Sequence, residues 1–157
     1  MSLKDFPGVV QQVPLKLYST FRVGGPADYF YPARDLEGFL KILEEAKKEN
    51  IRVFVLGAGS NVLFLDEGFR GLVVKIEMAK IEVKNDCLIA EAGATWPLLL
   101  KTVDKAGLSG LEEMSGLPGT LGGAVYGNAG CFGKETAQLV ENALLYDPSA
   151  GKPKEVD

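Results

Sequence analysis

Hydrophobic and polar residues in the first half of the chain follow the periods of a strand, a helix and a second strand. Residues 28–31 form an apolar, aromatic stretch that predicts a short strand closed by Pro32. Asp35 suits a helix N-cap, since apolar residues follow it at helical spacing: Leu36, Phe39, Leu40, Leu43 and Ala46. Val53–Leu56 is a continuous apolar run, which is typical of a buried strand. The pattern predicts a small βαβ unit.

The second half of the chain predicts short strands around one helix. Alternating or apolar stretches predict strands over residues 62–65, 72–76, 81–83, 88–92 and 139–146. Thr95 is the predicted N-cap of the helix, which has Pro97 in its first turn and Gly107 as its C-cap. A turn over residues 147–151 leads into a last strand that begins near Pro153. We therefore divide the chain into a βαβ subdomain, residues 1–75, and a mixed sheet-and-helix subdomain, residues 76–157.

Composition narrows the class of protein. The chain has 157 residues, 46% of them hydrophobic and 24% charged, as in ordinary globular proteins. A net charge of −4 argues against a nucleic-acid surface, which needs a basic face. The sequence contains no run of eighteen apolar residues, so no membrane span is predicted. Residues 1–7 lack a signal-peptide pattern, so we expect a cytoplasmic protein.

The residues available for chemistry are restricted. Histidine is absent, which removes the commonest general base and the commonest zinc ligand. Cys87 and Cys131 are expected to be free thiols in a reducing cytoplasm, and their spacing fits no metal site. Cys87 is predicted to be a core residue, and nothing near Cys131 would activate its thiol. Chemistry must come from carboxylates, hydroxyls, amides or a bound cofactor.

Two glycine-rich segments are the candidate functional loops. The first, residues 57–61 (GAGSN), directly follows a predicted strand, and such a turn either binds phosphate or is only a tight turn. Val62 stands where the dinucleotide fingerprint needs glycine, and no Gly-Lys-Ser/Thr sequence occurs. The second, residues 116–124 (GLPGTLGGA), is either a ligand surface or a closely packed helix start. Together, the loops favour a ligand that has phosphates and a ring system, such as FAD.

The two loops, in this order, resemble those of the UDP-N-acetylenolpyruvoylglucosamine reductases. LGAGSNVLF over residues 56–64 is similar to the family's pyrophosphate-binding segment, and residues 107–130 to its second flavin loop. LYSTFRVGGPA over residues 17–27 matches the usual start of the family, except that many members carry histidine in place of Tyr18. The resemblance implies an α+β chain with the vanillyl-alcohol-oxidase (PCMH) type of FAD-binding fold. It also implies that NADPH reduces FAD, and that the flavin reduces UDP-N-acetylglucosamine enolpyruvate to UDP-N-acetylmuramate for peptidoglycan.

The resemblance also implies which residues hold the cofactor. The pyrophosphate is expected over Gly57, Ala58, Gly59, Ser60 and Asn61, and the flavin side against Gly116, Pro118, Gly119, Thr120, Gly122, Gly123 and Asn128. Alternatively, Ser60 and Asn61 are turn side chains that hydrogen-bond their own backbone, and Thr120 and Asn128 belong to a helix cap and a turn. Some members of the wider fold attach FAD covalently through a histidine. This chain has no histidine, so non-covalent FAD is expected here.

Several single residues have two interpretations. Tyr126 either lines the flavin site or packs in the core, and Arg22 lies near an anion or is solvated. Glu112 and Glu113 are expected to be exposed, and Trp96 to pack at a helix end.

The family's catalytic residues match no position in this chain. They are an arginine, a serine and a glutamate that the resemblance places after Asp157, and Cys131 in the GNAGC sequence is not that serine. We therefore expect the 157 residues to be a fragment without reductase turnover. Loss of the continuation of the last strand would make the fragment prone to self-association. The alternatives are another oxidoreductase of the same flavin fold and a non-catalytic flavin-binding module.

Overall fold

A four-stranded sheet organises the first half of the chain. The computed structural model describes residues 2–157. The strands are β1 (Val10–Pro14), β2 (Pro26–Ala33), β3 (Val53–Leu56) and β4 (Phe69–Ile76), in the order β1-β2-β4-β3. β4 runs parallel to both of its neighbours, and β1 is antiparallel to β2. The predicted βαβ unit is therefore present, and β4 lies between its two strands.

Helix α1 (Leu36–Lys48) connects β2 to β3 and covers one face of the sheet. The Asp35 carboxylate accepts a hydrogen bond from the Gly38 amide at 2.7 Å, which confirms the predicted N-cap. The helix buries Ile42, Leu43 and two further apolar side chains, and they form a cluster with Leu72 and Val74 of β4. Helical spacing of these side chains determines which face of α1 meets the sheet.

β4 is a central strand of the sheet, whereas β3 is an edge strand. Leu72, Val73 and Val74 are fully buried, whereas Val53 and Val55 are 37% and 51% exposed. The prediction that Val53–Leu56 is a buried strand is therefore wrong. An apolar run does not distinguish a central strand from an edge strand, because this depends on which later strand inserts beside it.

Residues 62–65 are irregular, so the predicted strand there is wrong. Phe64 is buried, whereas Leu63 and Leu65 are 63% and 66% exposed. The Gly25 amide donates to the Leu65 carbonyl at 2.8 Å, and a Cβ on Gly24 would lie 2.5 Å from Phe64 Cβ. The segment is held by this glycine pair instead of by a sheet partner.

The second half contains two helices and three small hairpins. The helices are α2 (Trp96–Ala106) and α3 (Leu121–Gly127). The hairpins are β5 (Ile81–Lys84) with β6 (Cys87–Ala90), β7 (Gly130–Cys131) with β8 (Lys134–Glu135), and β9 (Ala143–Asp147) with β10 (Lys152–Val156). Short 3-10 helices cover Leu3–Asp5, Leu15–Tyr18, Glu112–Met114 and Thr136–Gln138. The mixture of sheet and helices confirms the α+β class.

The core of the second half forms around Trp96. This side chain is 2% exposed and packs with Leu99, Met114, Ala94 and Ala124, which confirms its predicted packing at a helix end. Within residues 2–157, no helix is long and apolar enough to cross a bilayer.

Four predictions for the second half are confirmed or corrected. Gly107 ends α2 with a φ of 68°, as predicted, but the Thr95 side chain forms no cap hydrogen bond. The strand predicted over residues 139–146 is only Ala143–Asp147. Cys87 is exposed, so its prediction as a core residue is wrong. It lies in a two-stranded hairpin with its Sγ 3.5 Å from a carboxylate oxygen of Glu141, which raises the pKa of the thiol.

The division at residue 75 stays a prediction. The Tyr146 ring on β9 packs edge-on against Phe39 of α1, with 5.9 Å between the ring centroids. The last hairpin therefore contacts the helix of the first half.

Candidate functional site

The first glycine loop, residues 57–61, follows β3 at the carboxyl edge of the parallel strands. No helix follows it, as Val62 predicts. Gly59 has a φ of 71°, and a Cβ there would lie 2.0 Å from the Tyr18 carbonyl oxygen. Both the backbone angle and the close approach therefore require glycine at this position.

Residues 19–20 hold this loop by its carbonyl groups. The Thr20 amide donates to the Gly59 carbonyl at 3.1 Å, and the Ser19 hydroxyl donates to the Val62 carbonyl at 3.1 Å. The Thr20 hydroxyl lies 3.4 Å from the carbonyl oxygens of Gly59 and Ser60. In the described chain, no side chain or loop carbonyl accepts from the amides of residues 58–61. Unpaired amides beside small side chains are suited to an anion.

The two glycine loops lie against each other. A Cβ on Gly57 would be 2.5 Å from Thr120 Oγ1, and a Cβ on Gly119 would be 2.8 Å from Ser60 Oγ. The fold thus brings together residues that are about 60 positions apart in the sequence, at the edge where a crevice ligand binds in α/β sheets. One ligand can contact both loops.

Thr120 occupies the centre of this contact. The residue is 4% exposed, and its hydroxyl has no hydrogen-bond partner among residues 2–157. It is also the N-cap of α3, but its side chain makes no cap bond. A buried hydroxyl without a partner is destabilising by about 1–3 kcal/mol, so its presence beside two glycine loops fits a contact with a bound ligand.

The remaining glycines of the second loop differ in their packing and exposure. The amides of Leu121 and Gly122 donate to the carbonyls of Ala94 and Ala92, both at 2.8 Å. A Cβ on Gly122 would also lie 2.7 Å from Ala92 Cβ, so this glycine permits close packing. Gly116 has a φ of 88° and open space around it, and Pro118 and Gly123 are exposed.

Asn128 is held within the chain. Its Nδ2 donates to a Glu135 carboxylate oxygen at 2.8 Å, and its Oδ1 accepts from the Ala137 amide at 2.9 Å. It also ends α3 with a φ of 43°. Its contact with a flavin stays a prediction, for which one hydrogen of Nδ2 is available.

Exposure decides between the interpretations of the neighbouring single residues. Tyr126 is 96% exposed, so it does not pack in the core. Glu112 and Glu113 are exposed, as predicted, and Glu112 accepts from the Gly110 amide at 2.7 Å. Phe132, which the sequence reasoning did not single out, is 84% exposed with a φ of 50°.

A pocket of about 390 Å³ lies beside the first loop. It is lined by residues 17–20, Arg22, Ala58 and Lys75. The Lys75 ammonium donates to the Ile76 carbonyl at 3.2 Å. Burial lowers the pKa of Lys75, while the carboxylate of Glu77 acts in the opposite direction. Sequence reasoning missed Lys75, although a lone cation within an apolar strand was a signal.

Comparisons with known proteins agree with this geometry. Residues 27–152 match a family described as the FAD binding domain. The chain is 39% identical to the UDP-N-acetylenolpyruvoylglucosamine reductase of Rubrobacter xylanophilus over 137 residues, which cover 86% of this chain and 46% of that protein. It is 39% identical to the reductase of Solibacter usitatus over 152 residues, which cover 96% and 49%. The chain thus spans about half the length of the curated relatives it matches.

Solved structures extend the comparison to the fold. The UDP-N-acetylenolpyruvylglucosamine reductase (MurB) of Thermus caldophilus has a TM-score of 0.75 at 32% identity, covering 94% of this chain and 51% of that one. A solvent-stable cholesterol oxidase shares the fold alone, with a TM-score of 0.67 at 19% identity over 84% of this chain and 29% of its own. These neighbours confirm the PCMH-type fold that the resemblance implies. The family match covers most of the chain and includes both glycine loops, and the chain therefore belongs to the FAD binding domain family.

Proposed function

We propose that this chain binds FAD non-covalently between the two glycine loops. The observation that carries the proposal is the contact of Gly57 with Thr120, which joins the loops around a buried hydroxyl that has no partner among residues 2–157. The amides of residues 58–61 would hold the pyrophosphate of the cofactor. Gly119 and Thr120 would face the flavin, together with the exposed backbone at Gly116, Pro118 and Gly123.

We further propose that the chain is the FAD-binding portion of an NADPH-dependent reductase that makes UDP-N-acetylmuramate for peptidoglycan synthesis. The relatives that cover most of this chain carry the reductase name, which supports the proposal. FAD, when bound, supplies hydride transfer between NADPH and the enolpyruvyl group of the UDP-sugar, chemistry that side chains do not perform alone. The residues of this chain would position the cofactor and exclude water from it.

Two rival functions belong to other classes. Another oxidoreductase of the same fold is favoured less, because the cholesterol oxidase is only 19% identical while the reductases reach 39%. A non-catalytic flavin-binding module would bind FAD equally well. A functional complementation assay with the complete gene separates this module from the reductase.

The location and association of the chain are proposals of the same kind. Two free cysteines support a reducing compartment, and we place the protein in the cytoplasm. Leu144 and Leu145 lie on opposite faces of the β9–β10 hairpin and are 65% and 45% exposed. A two-stranded sheet cannot bury both faces by itself, which supports self-association of an isolated 157-residue polypeptide.

Flavin titration of a Gly59→Val variant tests the FAD site. The side chain would collide with the Tyr18 carbonyl and displace the loop, so we expect loss of bound FAD. The measurement is FAD fluorescence released on denaturation, with circular dichroism as the check that the variant is folded.

Gly151→Val is the matched control. Gly151, in the turn between β9 and β10, has a φ of 66°, close to that of Gly59, but nothing lies within 4 Å of a Cβ there. This variant has the same backbone strain without the collision, and it should retain FAD. Wild-type affinity in Gly59→Val would contradict the pyrophosphate assignment, and a wild-type protein that binds NAD or ATP but no flavin would overturn the proposed function.

A further inference from the structure

Lys75 is the cation that the fold places beside the first glycine loop. In the parallel pairing of β3 with β4, Lys75 lies opposite Leu56, the residue immediately before Gly57. It lines the same pocket as Ala58 of the loop and residues 17–20. The strand register, and not any local motif, therefore brings this side chain to the loop.

The surroundings of the pocket favour an anion. None of the residues that line it is acidic, although the whole chain has a net charge of −4. Lys75 and Arg22 are its two cations, and in the described residues neither forms an ion pair with a carboxylate within 4.0 Å. An unpaired lysine ammonium beside unpaired amides provides both charge and hydrogen-bond donors for a phosphate group.

The position of Lys75 in its strand is not explained by packing. Leu72, Val73 and Val74 before it are fully buried, and Ile76 after it is 6% exposed. The ammonium is partly buried and uses one of its three donors on the Ile76 carbonyl. Removing an ammonium from water is unfavourable unless a partner compensates. Among the described residues its hydrogen bond goes to a neutral carbonyl, and the Glu77 carboxylate favours the charged form without forming an ion pair with it.

We infer that Lys75 is the cationic partner of the diphosphate held by residues 58–61, with Arg22 as a second cation in the lining of the same pocket. This inference rests on the proposed binding of FAD and assigns the side chain that discriminates for the phosphorylated cofactor. Main-chain amides alone carry no net charge, so the diphosphate would otherwise lack a counter-charge in an acidic chain.

Affinity for FAD and for riboflavin separates this role from a structural one. Riboflavin has the same ring system without the diphosphate. We expect Lys75→Met to weaken FAD binding about tenfold or more, in line with a lost hydrogen bond to a charged group, and to leave riboflavin binding unchanged. Lys75→Arg, which keeps the charge, should stay within about threefold of wild type. The measurement is quenching of flavin fluorescence at low ionic strength, where charge effects are largest.

Lys101→Met is the control for removal of a lysine elsewhere, since Lys101 is exposed on α2 and does not line the pocket. It should retain wild-type affinity for both flavins. Equal FAD affinity in Lys75→Met and wild type would overturn the inference, as would equal weakening of FAD and riboflavin. A wild-type chain that binds neither flavin would overturn the proposed function itself.

Discussion

At the scale of single residues, two buried threonines differ in how their hydroxyls are satisfied. Thr120 is 4% exposed and Thr136 is 1% exposed. The Thr136 hydroxyl donates to the Ala129 carbonyl at 2.6 Å, whereas that of Thr120 has no partner among residues 2–157. A structural hydroxyl and a ligand-binding hydroxyl should respond differently to replacement by valine, which has nearly the same shape.

We predict that Thr120→Val leaves the free energy of unfolding without FAD unchanged or raises it. Removal of a buried, unpaired hydroxyl relieves a desolvation penalty of about 1–3 kcal/mol. FAD affinity should fall about fivefold, as expected for one lost hydrogen bond of about 1 kcal/mol. Urea unfolding without cofactor and flavin fluorescence titration measure the two quantities.

Thr136→Val should show the reverse pattern. The Ala129 carbonyl would lose this hydrogen bond but keep the one from the Thr136 amide at 3.0 Å. We therefore expect a fall of about 0.5–1.5 kcal/mol in the free energy of unfolding, with unchanged FAD affinity. A Thr120→Val variant that is destabilised and binds FAD normally would show that its hydroxyl is structural.

At the scale of elements, the two long helices begin in different ways. Both Asp35 and Thr95 suit an N-cap by sequence, and both occupy that position. The Asp35 carboxylate accepts a hydrogen bond from a first-turn amide, whereas the Thr95 side chain forms no cap hydrogen bond. Thr95 instead pairs by its backbone with Thr120 as an isolated bridge between α2 and the second glycine loop. Its role is to connect these two segments.

We predict that Asp35→Ala lowers the free energy of unfolding by about 1 kcal/mol, the typical value for a lost N-cap. Thr95→Ala should change it by no more than a few tenths of a kcal/mol, since the side chain is exposed and makes no cap bond. Chemical denaturation of both variants makes the comparison, and Asp35→Asn, which keeps an acceptor, should recover most of the loss. Equal losses in the two alanine variants would contradict this account of the caps.

At the scale of the whole molecule, the proposed FAD site supplies one of the groups that the reductase reaction requires. The described residues bring together two glycine loops, a buried hydroxyl and Lys75. Reduction of an enolpyruvyl group also needs a positioned proton donor and a positive charge for the developing anion. The resemblance assigns these roles to a serine, a glutamate and an arginine that match none of the 157 residues.

We predict that a polypeptide of these 157 residues, reconstituted with FAD, shows no turnover with NADPH and the UDP-sugar substrate. Loss of one positioned proton donor typically lowers the rate by a factor of about 10²–10⁴. Steady-state NADPH oxidation provides the measurement, with the Thermus caldophilus reductase as the positive control. A rate near that of the control would show that the catalytic residues lie within this chain.

Much of the local structure is predictable from the sequence. The spacing of Leu36, Phe39 and Leu43 predicts α1, and Gly107 marks the end of α2. Val62 after the first loop correctly predicts that no helix follows. These features depend on contacts between residues that are close in sequence, or on backbone angles that only certain residues adopt. The glycines and their neighbours also carry the resemblance to a flavin-binding family.

Only the tertiary structure decided which strand is central and what each loop contacts. β4 inserts between β2 and β3, which leaves Val55 at an exposed edge and brings Lys75 beside the first loop. The contact between Gly57 and Thr120 joins residues that no local period relates. Strand order and loop contact depend on long-range packing, since an apolar strand pairs equally well at the edge or the centre until its neighbours are known. The sequence by itself therefore determined helices α1 and α2 and carried the resemblance to a flavin-binding family, whereas the tertiary fold decided the strand order and which residues of the two loops lie together.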